Sequence, residues 1–577
     1  MKKRWMTGLV VLALAGTVAL GPRVSGAATG QDNAAVQFGR LAVGEHGAVV
    51  SVDGHATRAG LEVLRAGGNA IDAAIAVGLA LAVTHPQAGN LGGGGFMVIY
   101  LADEDRYTTL DFREMAPAVA HAEMYLGEDG RPVRGVNYVG WRAVGVPGTV
   151  AGFEKAHEWG RMDWADLVRP AQQLAADGFW VDPYLAGSFR RVAPTFQRYA
   201  GSAEAFLHPD GSPYAAGEKF VQPDLAWSLD QIATGGADAF YRGPIAERLV
   251  AAMEANDGLI TAADLDNYRP VEREPVRGSY RGWDVISMGP PSSGGTTLVS
   301  MLNILENFDL EGADPTGAPL AHLMVESMRQ AYMDRATHLG DADYHDVPVD
   351  WLVAKDRAVE LAAAISPDTA RKSADLGAAI LTAPESPETT HYSVVDSFGN
   401  AVSTTYTIEA GFGSKVVAPG TGFLLNNEMG DFNEWPGMTD ERGYVGTDPN
   451  LIAAGKRPLS SMTPTILARD GKPVALLGSP GGKTIINTVF RLVVNLVDFE
   501  MNLAQAVDAP RIHHQWMPDV VRLERAFPTG TADALMGMGH ELGTGRIQGD
   551  AHCIWIYPDG ARLAVADGRR SGSAAAY

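Results

Sequence analysis

The chain has 577 residues, a formal net charge of −22 and a single cysteine, Cys553. This length is enough for one large layered domain or for several domains of average size. The acidic balance argues against nucleic acid as a partner, because binding a phosphate backbone requires a basic surface. A single cysteine excludes an internal disulfide, and with it a covalent link between two halves of a cleaved chain.

Residues 1–27 are predicted to be a signal peptide. Three basic residues at 2–4 precede the apolar stretch 6–20, and small residues lead to a cleavage site after Ala27. This pattern predicts export, so we expect a periplasmic or secreted protein. Removing these residues takes away four basic and no acidic groups, which makes the net charge −26. No later apolar run approaches the roughly 20 residues that a membrane-spanning helix needs, so we expect no span in the mature protein.

The first part of the mature chain predicts paired helices followed by strands. Residues 56–65 read as a helix that ends at a glycine pair, and Asn69 can cap a second helix over 70–83. Residues 96–100 and 105–112 are strand candidates.

Beyond this point the pattern changes twice. Residues 145–375 are mainly helical in pattern, with a long helix over 320–339. After Thr389 the chain is rich in strands, and these lie at 391–395, 401–408 and 472–477, followed by a helix over 484–499. Hairpins that alternate with long apolar helices predict an α+β fold in which helices cover sheets.

Thr389 is the strongest candidate for a catalytic residue. It follows Glu388 and the loop-like stretch 382–387, and it opens a strand. If the chain cut itself after Glu388, the threonine hydroxyl would become a nucleophile. The freed α-amine, with an ordinary pKa near 8, would serve as its general base. A threonine pair at the start of a strand is by itself more typical of an ordinary strand, so the interpretation depends on other segments.

Gly481 and Gly482 lie between a predicted strand and a predicted helix. Successive backbone N–H groups at a helix N-terminus can form an oxyanion pocket, although a plain turn is the alternative. The following Lys483 and Thr484 do not complete a phosphate-binding loop, because Leu477 stands where that motif requires glycine.

Five further residues together suit a zwitterionic ligand. Arg113 can form a fork onto a carboxylate, and the hydroxyls of Ser460 and Ser461 can donate to the same group. Glu428 and Asp431 can hold an ammonium group. Each is equally typical of a surface ion pair, a loop or a turn, so none is specific alone.

Metal and cofactor chemistry has no support in the sequence. The chain contains no His-Glu-x-x-His zinc helix and no Gly-x-Ser-x-Gly nucleophile elbow. His513 and His514 are adjacent rather than spaced along one helix face, which is more typical of packed or solvent-facing histidines. We therefore predict neither a metal nor a cofactor.

Taken together, the segments resemble the gamma-glutamyltranspeptidase family of N-terminal nucleophile hydrolases over nearly the whole mature chain. The matching segments are 67–70, 90–96, 111–117, 290–297, 389–396, 423–432, 457–465 and 478–482. The resemblance implies a four-layer αββα sandwich built jointly by a large subunit, 28–388, and a small catalytic subunit, 389–577. It implies that Thr389 attacks the carbonyl of Glu388 and that the two products remain associated as a heterodimer.

The resemblance also implies a role for each candidate residue. Thr389 becomes the nucleophile, Thr407 positions it, and Gly481 and Gly482 form the oxyanion hole. The α-carboxylate of the substrate is held by Arg113, Ser460 and Ser461, and its α-ammonium by Glu428 and Asp431. The family's substrate-binding asparagine aligns with Glu409, which adds a negative charge that either repels a carboxylate or helps to bind an ammonium.

The implied reaction transfers the γ-glutamyl group of a glutathione-like amide to water or to an amino acid or peptide acceptor. Residues 436–456 are long enough for the lid of several bacterial members, yet Arg442 takes the position of the gating tyrosine and Tyr444 lies two residues on. Two alternatives stay open: an acylase for glutaryl cephalosporins, whose side chain lacks an α-amine, and a binding protein without turnover. Retention of Glu428 and Asp431 argues against the acylase.

Overall fold

A computed structural model describes residues 36–377, 388–433, 435–436 and 448–577. Three sequence predictions lie outside these residues: the signal peptide, the linker at 382–387, and the lid positions Arg442 and Tyr444. Within the described ranges, no helix combines the length and apolar character needed to cross a bilayer.

The described residues form nineteen strands. In chain order they are β1 Gln37–Gly39, β2 Leu41–Gly44, β3 Ala48–Ser51, β4 Gly94–Leu101, β5 Arg106–Asp111, β6 Phe179–Trp180, β7 Lys219–Phe220, β8 Val271–Arg273, β9 Val276–Tyr280, β10 Trp283–Ser287, β11 Thr390–Val395, β12 Ala401–Thr407, β13 Thr465–Arg469, β14 Lys472–Leu477, β15 Ile512–His513, β16 Arg522–Leu523, β17 His552–Ile556, β18 Arg562–Ala566 and β19 Ser573–Ala576.

Seventeen α-helices lie in the same described ranges. They are α1 Gly54–Arg65, α2 Ala70–Thr84, α3 Thr149–His157, α4 Trp164–Asp177, α5 Pro183–Phe196, α6 Ala200–Phe206, α7 Pro223–Tyr241, α8 Pro244–Ala255, α9 Ala262–Asn267, α10 Gly294–Leu305, α11 Ala318–His338, α12 Val349–Leu352, α13 Lys355–Ala363, α14 Ser373–Leu376, α15 Thr484–Val497, α16 Leu503–Asp508 and α17 Thr529–Gly537. Short 3₁₀ helices span Trp141–Ala143, Glu428–Asp431 and Asp448–Asn450.

Two large antiparallel sheets organise the molecule. The first has eight strands in the order β1-β19-β3-β11-β12-β4-β5-β8, and the second has seven in the order β2-β18-β17-β14-β13-β10-β9. In the first sheet β11 pairs with β12 so that Thr390 faces Tyr406 and Val395 faces Ala401. The strand that Thr389 precedes is therefore central in its sheet, with paired neighbours on both sides.

Alternation along the strands creates three buried layers of side chains. On β4, Phe96, Val98 and Tyr100 point between the two sheets, whereas Met97 and Ile99 point toward helices α1–α9. The second sheet packs its outer face against α10, α11 and α15–α17 in the same way. This period of two with both faces buried produces the four layers helix, sheet, sheet, helix, as predicted.

Helix α2 has the N-terminal chemistry that its sequence indicates. The Asn69 side chain accepts from the backbone N–H groups of Ile71 and Asp72, while Asp72 accepts from the N–H of Asn69. Such a cap contributes about 1 kcal/mol. The carboxylate of Asp396, in the β11–β12 turn, accepts from the N–H of Ala70 at 2.7 Å, which ties this helix to the hairpin that carries the candidate nucleophile.

Most predicted elements are found with ends shifted by no more than two residues, including α1, α2, β4, β11, β12 and α15, and β14 has the predicted ends. The sequence did not predict β1–β3 or β17–β19. These short strands come from the two ends of the described chain and lie beside one another, with β19 between β1 and β3. Pairing between such distant segments leaves no local signal.

Candidate active site

Thr389 lies immediately before β11 and is 5% exposed. Its hydroxyl Oγ1 donates to the carbonyl oxygen of Glu388 at 2.5 Å and lies 3.4 Å from the Oγ1 of Thr407. The hydroxyl is therefore held directly beside the carbonyl group that the sequence predicts it to attack. Burial at the end of a central strand keeps bulk water away from this pair.

Thr407 ends β12, the neighbour of β11. Its Oγ1 accepts a hydrogen bond from the backbone N–H of Glu409 at 2.9 Å and lies 3.5 Å from the carbonyl oxygen of Glu388. The accepted hydrogen bond leaves the hydroxyl proton of Thr407 free to point at Thr389 or at the carbonyl. The structure thus brings the two threonines together as predicted, through the register of two paired strands.

Gly481 and Gly482 form the turn between β14 and α15. Their φ angles are 139° and 56°, a region that L side chains rarely adopt. A Cβ on Gly481 would lie 2.4 Å from the Thr484 hydroxyl oxygen, so glycine is also required by space. The start of this turn packs on β11, since a Cβ on Gly478 would overlap the ring of His391.

His391 is a structural strand residue and not a partner of the nucleophile. Its ring nitrogens contact the hydroxyls of Thr405 at 2.8 Å and Ser393 at 3.2 Å, between the two sheets. Burial holds the pKa of His391 well below its usual value, so the ring is neutral.

Arg113 is at the centre of a buried ionic cluster. One guanidinium nitrogen lies 2.7 Å from Glu428 and 3.6 Å from Glu114, and another lies 2.5 Å from Asp431. The side chain is 1% exposed. The sequence predicted that Arg113 binds one end of a zwitterion and Glu428 and Asp431 the other. In the ligand-free structure Arg113 instead forms ion pairs with Glu428 and Asp431 themselves.

The cluster contains more carboxyl groups than basic groups, since Glu114, Glu428 and Asp431 surround the single guanidinium of Arg113. Burial raises the pKa of Glu114 to about 8, with a partial offset from Arg113, and burial likewise raises the pKa of Glu428 well above its usual range. Burial opposes the charge of Arg113, but Glu428 and Asp431 raise its pKa above the ordinary value. An incoming ammonium group would therefore relieve repulsion among the carboxylates.

Ser460 and Ser461 lie on the segment that also contacts Arg113. The guanidinium donates to the backbone oxygens of Pro458 and Leu459, both at 3.3 Å. Arg335 donates to the Ser461 Oγ at 2.9 Å, which leaves that hydroxyl able to donate elsewhere. The structure thus places Arg113 against the two residues that precede the serines. Joint binding of one carboxylate by Arg113, Ser460 and Ser461 stays a prediction.

Glu409 has a left-handed backbone, with φ 70°, and is 5% exposed. Its carboxylate accepts from the side-chain amide of Asn427, the residue before Glu428. Its backbone N–H holds Thr407, so this residue links the threonine pair to the acidic segment. Its carboxylate adds to the negative charge around Glu428.

Arg570 lies near the candidate nucleophile, and the sequence did not indicate it. Its guanidinium lies 3.3 Å from the side-chain carboxylate of Glu388, the residue before the candidate nucleophile. Arg570 is carried just ahead of β19, which is separated from β11 only by β3. The only available signal was a basic pair, Arg569 and Arg570, near the end of the chain, which is too common to be specific.

One cluster outside this site has metal-ligating groups. The ring nitrogens of His322 and His540 lie 2.8 Å apart, and Glu326 is close to both. However, Glu326 is ion-paired with Arg329 at 3.1 Å and with Arg371 at 2.7 Å. Two guanidinium groups on the only carboxylate make this a hydrogen-bonded network in the core rather than a cation site.

A buried threonine at the start of a central strand of an αββα sandwich, with its hydroxyl against the preceding carbonyl, defines an N-terminal nucleophile hydrolase. The sequence model of one family of this class, gamma-glutamyltranspeptidase, matches residues 56–577. The chain belongs to the gamma-glutamyltranspeptidase family.

Individual relatives agree with this assignment. The glutathione hydrolase proenzyme of Escherichia coli strain K12 is 45% identical over 526 residues, covering 91% of this chain and 90% of the relative. Acylase ACY 1 proenzyme of Pseudomonas sp. strain SE83 is 39% identical over 541 residues, covering 92% and 94%. The crystal structure of a cephalosporin acylase from Bacillus halodurans matches with a TM-score of 0.81 and 26% identity, covering 97% of this chain and 99% of that one.

Proposed function

We propose that this enzyme cuts its own chain after Glu388 and then uses Thr389 to transfer γ-glutamyl groups from glutathione-like amides to water or to an amino acid or peptide. The observation that carries the proposal is the position of the Thr389 hydroxyl, 2.5 Å from the Glu388 carbonyl oxygen and 3.4 Å from the Thr407 hydroxyl. No cofactor is needed for either step.

Self-cleavage begins when the Thr389 oxygen attacks the carbonyl carbon of Glu388. The peptide C–N bond breaks, an ester forms on the Thr389 oxygen, and the hydroxyl proton passes to the released α-amine. Water then hydrolyses the ester, which frees the hydroxyl and leaves a carboxylate on Glu388. The products are a large subunit, 28–388 after removal of an export signal, and a small subunit, 389–577, which stay together because each of the two large sheets contains strands from both.

The mature reaction repeats this chemistry on an external amide. The Thr389 α-amine takes the hydroxyl proton as the oxygen attacks the γ-carbonyl. Backbone N–H groups of Gly481 and Gly482 stabilise the negative charge that develops on the carbonyl oxygen. The leaving amine takes the proton back, and water or an acceptor amine removes the glutamyl group from the ester.

Substrate recognition requires an exchange of ion pairs. In the ligand-free site the guanidinium of Arg113 neutralises Glu428 and Asp431 directly. An α-carboxylate can take over the guanidinium with help from the hydroxyls of Ser460 and Ser461. At the same time an α-ammonium can bind the carboxylates of Glu428 and Asp431, with Glu409 as a third carboxylate. A zwitterion therefore gives new partners to both the guanidinium and the carboxylates, whereas a ligand with a single charge leaves one of them without a partner.

A glutaryl acylase is the second candidate, and the similarity to acylases favours it. A glutaryl group has a carboxylate but no α-amine, so its binding would leave Glu428 and Asp431 without a cation. The excess of buried carboxylates around Arg113 therefore supports the γ-glutamyl substrate. A binding protein without turnover is the third possibility. The threonine pair argues against it, because a protein that only binds its ligand needs no nucleophile.

Two measurements test the proposal. Purified wild type should contain two chains by intact mass, and Thr389→Ala one uncut chain without activity. Wild type should hydrolyse γ-glutamyl-p-nitroanilide at a far higher kcat/KM than glutaryl-p-nitroanilide. A single uncut wild-type chain with full activity would exclude self-cleavage, and a preference for the glutaryl substrate would identify an acylase instead.

A further inference from the structure

The side chain of Glu388 is bound by a residue from the distant end of the chain. Its carboxylate lies 3.3 Å from a guanidinium nitrogen of Arg570, and the two side chains are 25% and 15% exposed. Such an ion pair is much less screened by solvent than one on the open surface. This ion pair connects Glu388, which precedes the predicted cleavage point, to the sheet whose strand β11 follows Thr389.

Arg570 is itself held in place by its surroundings. Its guanidinium lies 5.9 Å from the ring centre of Tyr184, and the carboxylate of Asp550 contributes attraction. Burial opposes its charge, but Glu388 raises the pKa of Arg570 above the ordinary value. Only two residues separate Arg570 from β19, which pairs with β3, the neighbour of β11.

Lys415 is a second cation that attracts the same carboxylate. It is half-buried, and burial lowers its pKa to about 8, with a partial offset from the charges of Glu409 and Glu388. Two cations from separate loops, both on the C-terminal side of the cleavage point, therefore attract the Glu388 carboxylate. This is unlike the cluster around Arg113, in which the carboxylates are in excess.

We propose that Arg570 is a positioning residue for self-cleavage, which holds the side chain of Glu388 so that its carbonyl group stays against the Thr389 hydroxyl. The inference rests on the proposed self-cleavage and adds the residue that holds Glu388 in place for it. Arg570 does not touch the reacting atoms. It acts through the side chain of the residue whose carbonyl is attacked, and a misplacement of about 1 Å can slow a reaction by about a hundredfold.

The test follows cleavage in the full chain, made by cell-free translation and sampled over time on a denaturing gel. Arg570→Gln and Glu388→Gln are each expected to slow the appearance of two chains by about 10- to 100-fold. Arg570→Lys, which keeps the charge, should restore much of the rate. The double variant should be no slower than the slower single variant, because two residues that act through each other are not additive.

The control for general loss of structure is Arg357→Gln. Arg357 is 11% exposed and pairs with Asp334 at 2.7 Å, so its burial and pairing are similar, but it does not contact Glu388. It should cleave at the wild-type rate, and the melting temperature of each variant checks that it is folded.

Three results would overturn the inference: wild-type cleavage by folded Arg570→Gln, additive effects in the double variant, or equal slowing by Arg357→Gln. A wild type that never cleaves would instead refute the proposed self-cleavage. The two failures are therefore distinguishable, because the first set of results is obtained with a wild type that is cut normally.

Discussion

The two halves of the candidate site are built in different ways. The threonine pair is electrically neutral and lies at the ends of two paired strands, where backbone register fixes the distance between Thr389 and Thr407. The predicted recognition cluster consists of charged groups outside the sheets, with Arg113 from one side of the predicted cleavage point and Glu428 and Asp431, on a short 3₁₀ helix, from the other. We infer that strand pairing holds the reacting hydroxyl groups in place, whereas ion pairs that can exchange partners select the ligand.

The largest expected effect comes from breaking the charged half with Arg113→Gln. Removing one partner of a buried hydrogen-bonded charge pair costs about 2 to 5 kcal/mol, and about 1.4 kcal/mol is a factor of ten. We therefore expect KM for γ-glutamyl-p-nitroanilide to rise by about 30-fold or more, with a smaller change in kcat. Arg113→Lys, which keeps the charge but not the fork, should be intermediate. An unchanged KM in steady-state assays would remove Arg113 from the binding site.

A substitution in the threonine pair should lower kcat and leave KM nearly unchanged, the opposite of the effect expected at Arg113. Thr407→Val keeps the shape but removes the hydroxyl that receives the Glu409 N–H and faces Thr389. The loss of such a hydrogen bond should lower kcat by about tenfold and leave KM nearly unchanged, while Thr407→Ser should retain most of the rate. A rise in KM alone would show that the two halves are not separable.

A third test sharpens the comparison through the pH dependence of stability. Burial raises the pKa of Glu114 to about 8, above the ordinary value near 4.3 in the unfolded chain. Between these values the folded state binds a proton that the unfolded state does not. The stability from Glu114 is therefore fully present below about pH 4 and is lost as pH rises toward 8, by about 1.4 kcal/mol per pH unit.

Urea unfolding of the uncut Thr389→Ala chain, with and without Glu114→Gln, measures this slope at pH 5, 6 and 7. The difference in unfolding free energy between the two proteins should change with pH in that window. A constant difference would mean that Glu114 is already ionised in the folded state. The matched substitution Thr407→Val in the same background should give a constant difference, because the threonine pair has no group that titrates there.

Much of the site could be predicted from local sequence. Gly481 and Gly482 could be found because a strand, a glycine pair and a helix follow one another, and their positive φ angles explain the requirement for glycine. Thr389 could be found because it opens a strand after a proline-bearing stretch. Helix α2 could be found from Asn69 and its apolar run.

What could not be predicted depends on contacts between distant segments. Nothing in the sequence indicates that Arg113 pairs with Glu428 and Asp431 in the absence of ligand, because Arg113 and Asp431 are 318 residues apart in the chain. The contact of Arg570 with Glu388 is hidden for the same reason. The strand β19 is a run of small residues with weak strand propensity, and only its partners β1 and β3 make it a strand.

The position of β19 between β1 and β3 has a consequence for the timing of maturation. This strand completes the sheet that carries Thr389, and the residue after it, Tyr577, is hydrogen-bonded through its backbone to His46 and Gly47. A ribosome delivers these residues last among those described, so the sheet stays open until translation has passed them. We therefore expect a chain that ends before β19 to remain uncut, because the sheet that carries Thr389 would lack the strand between β1 and β3.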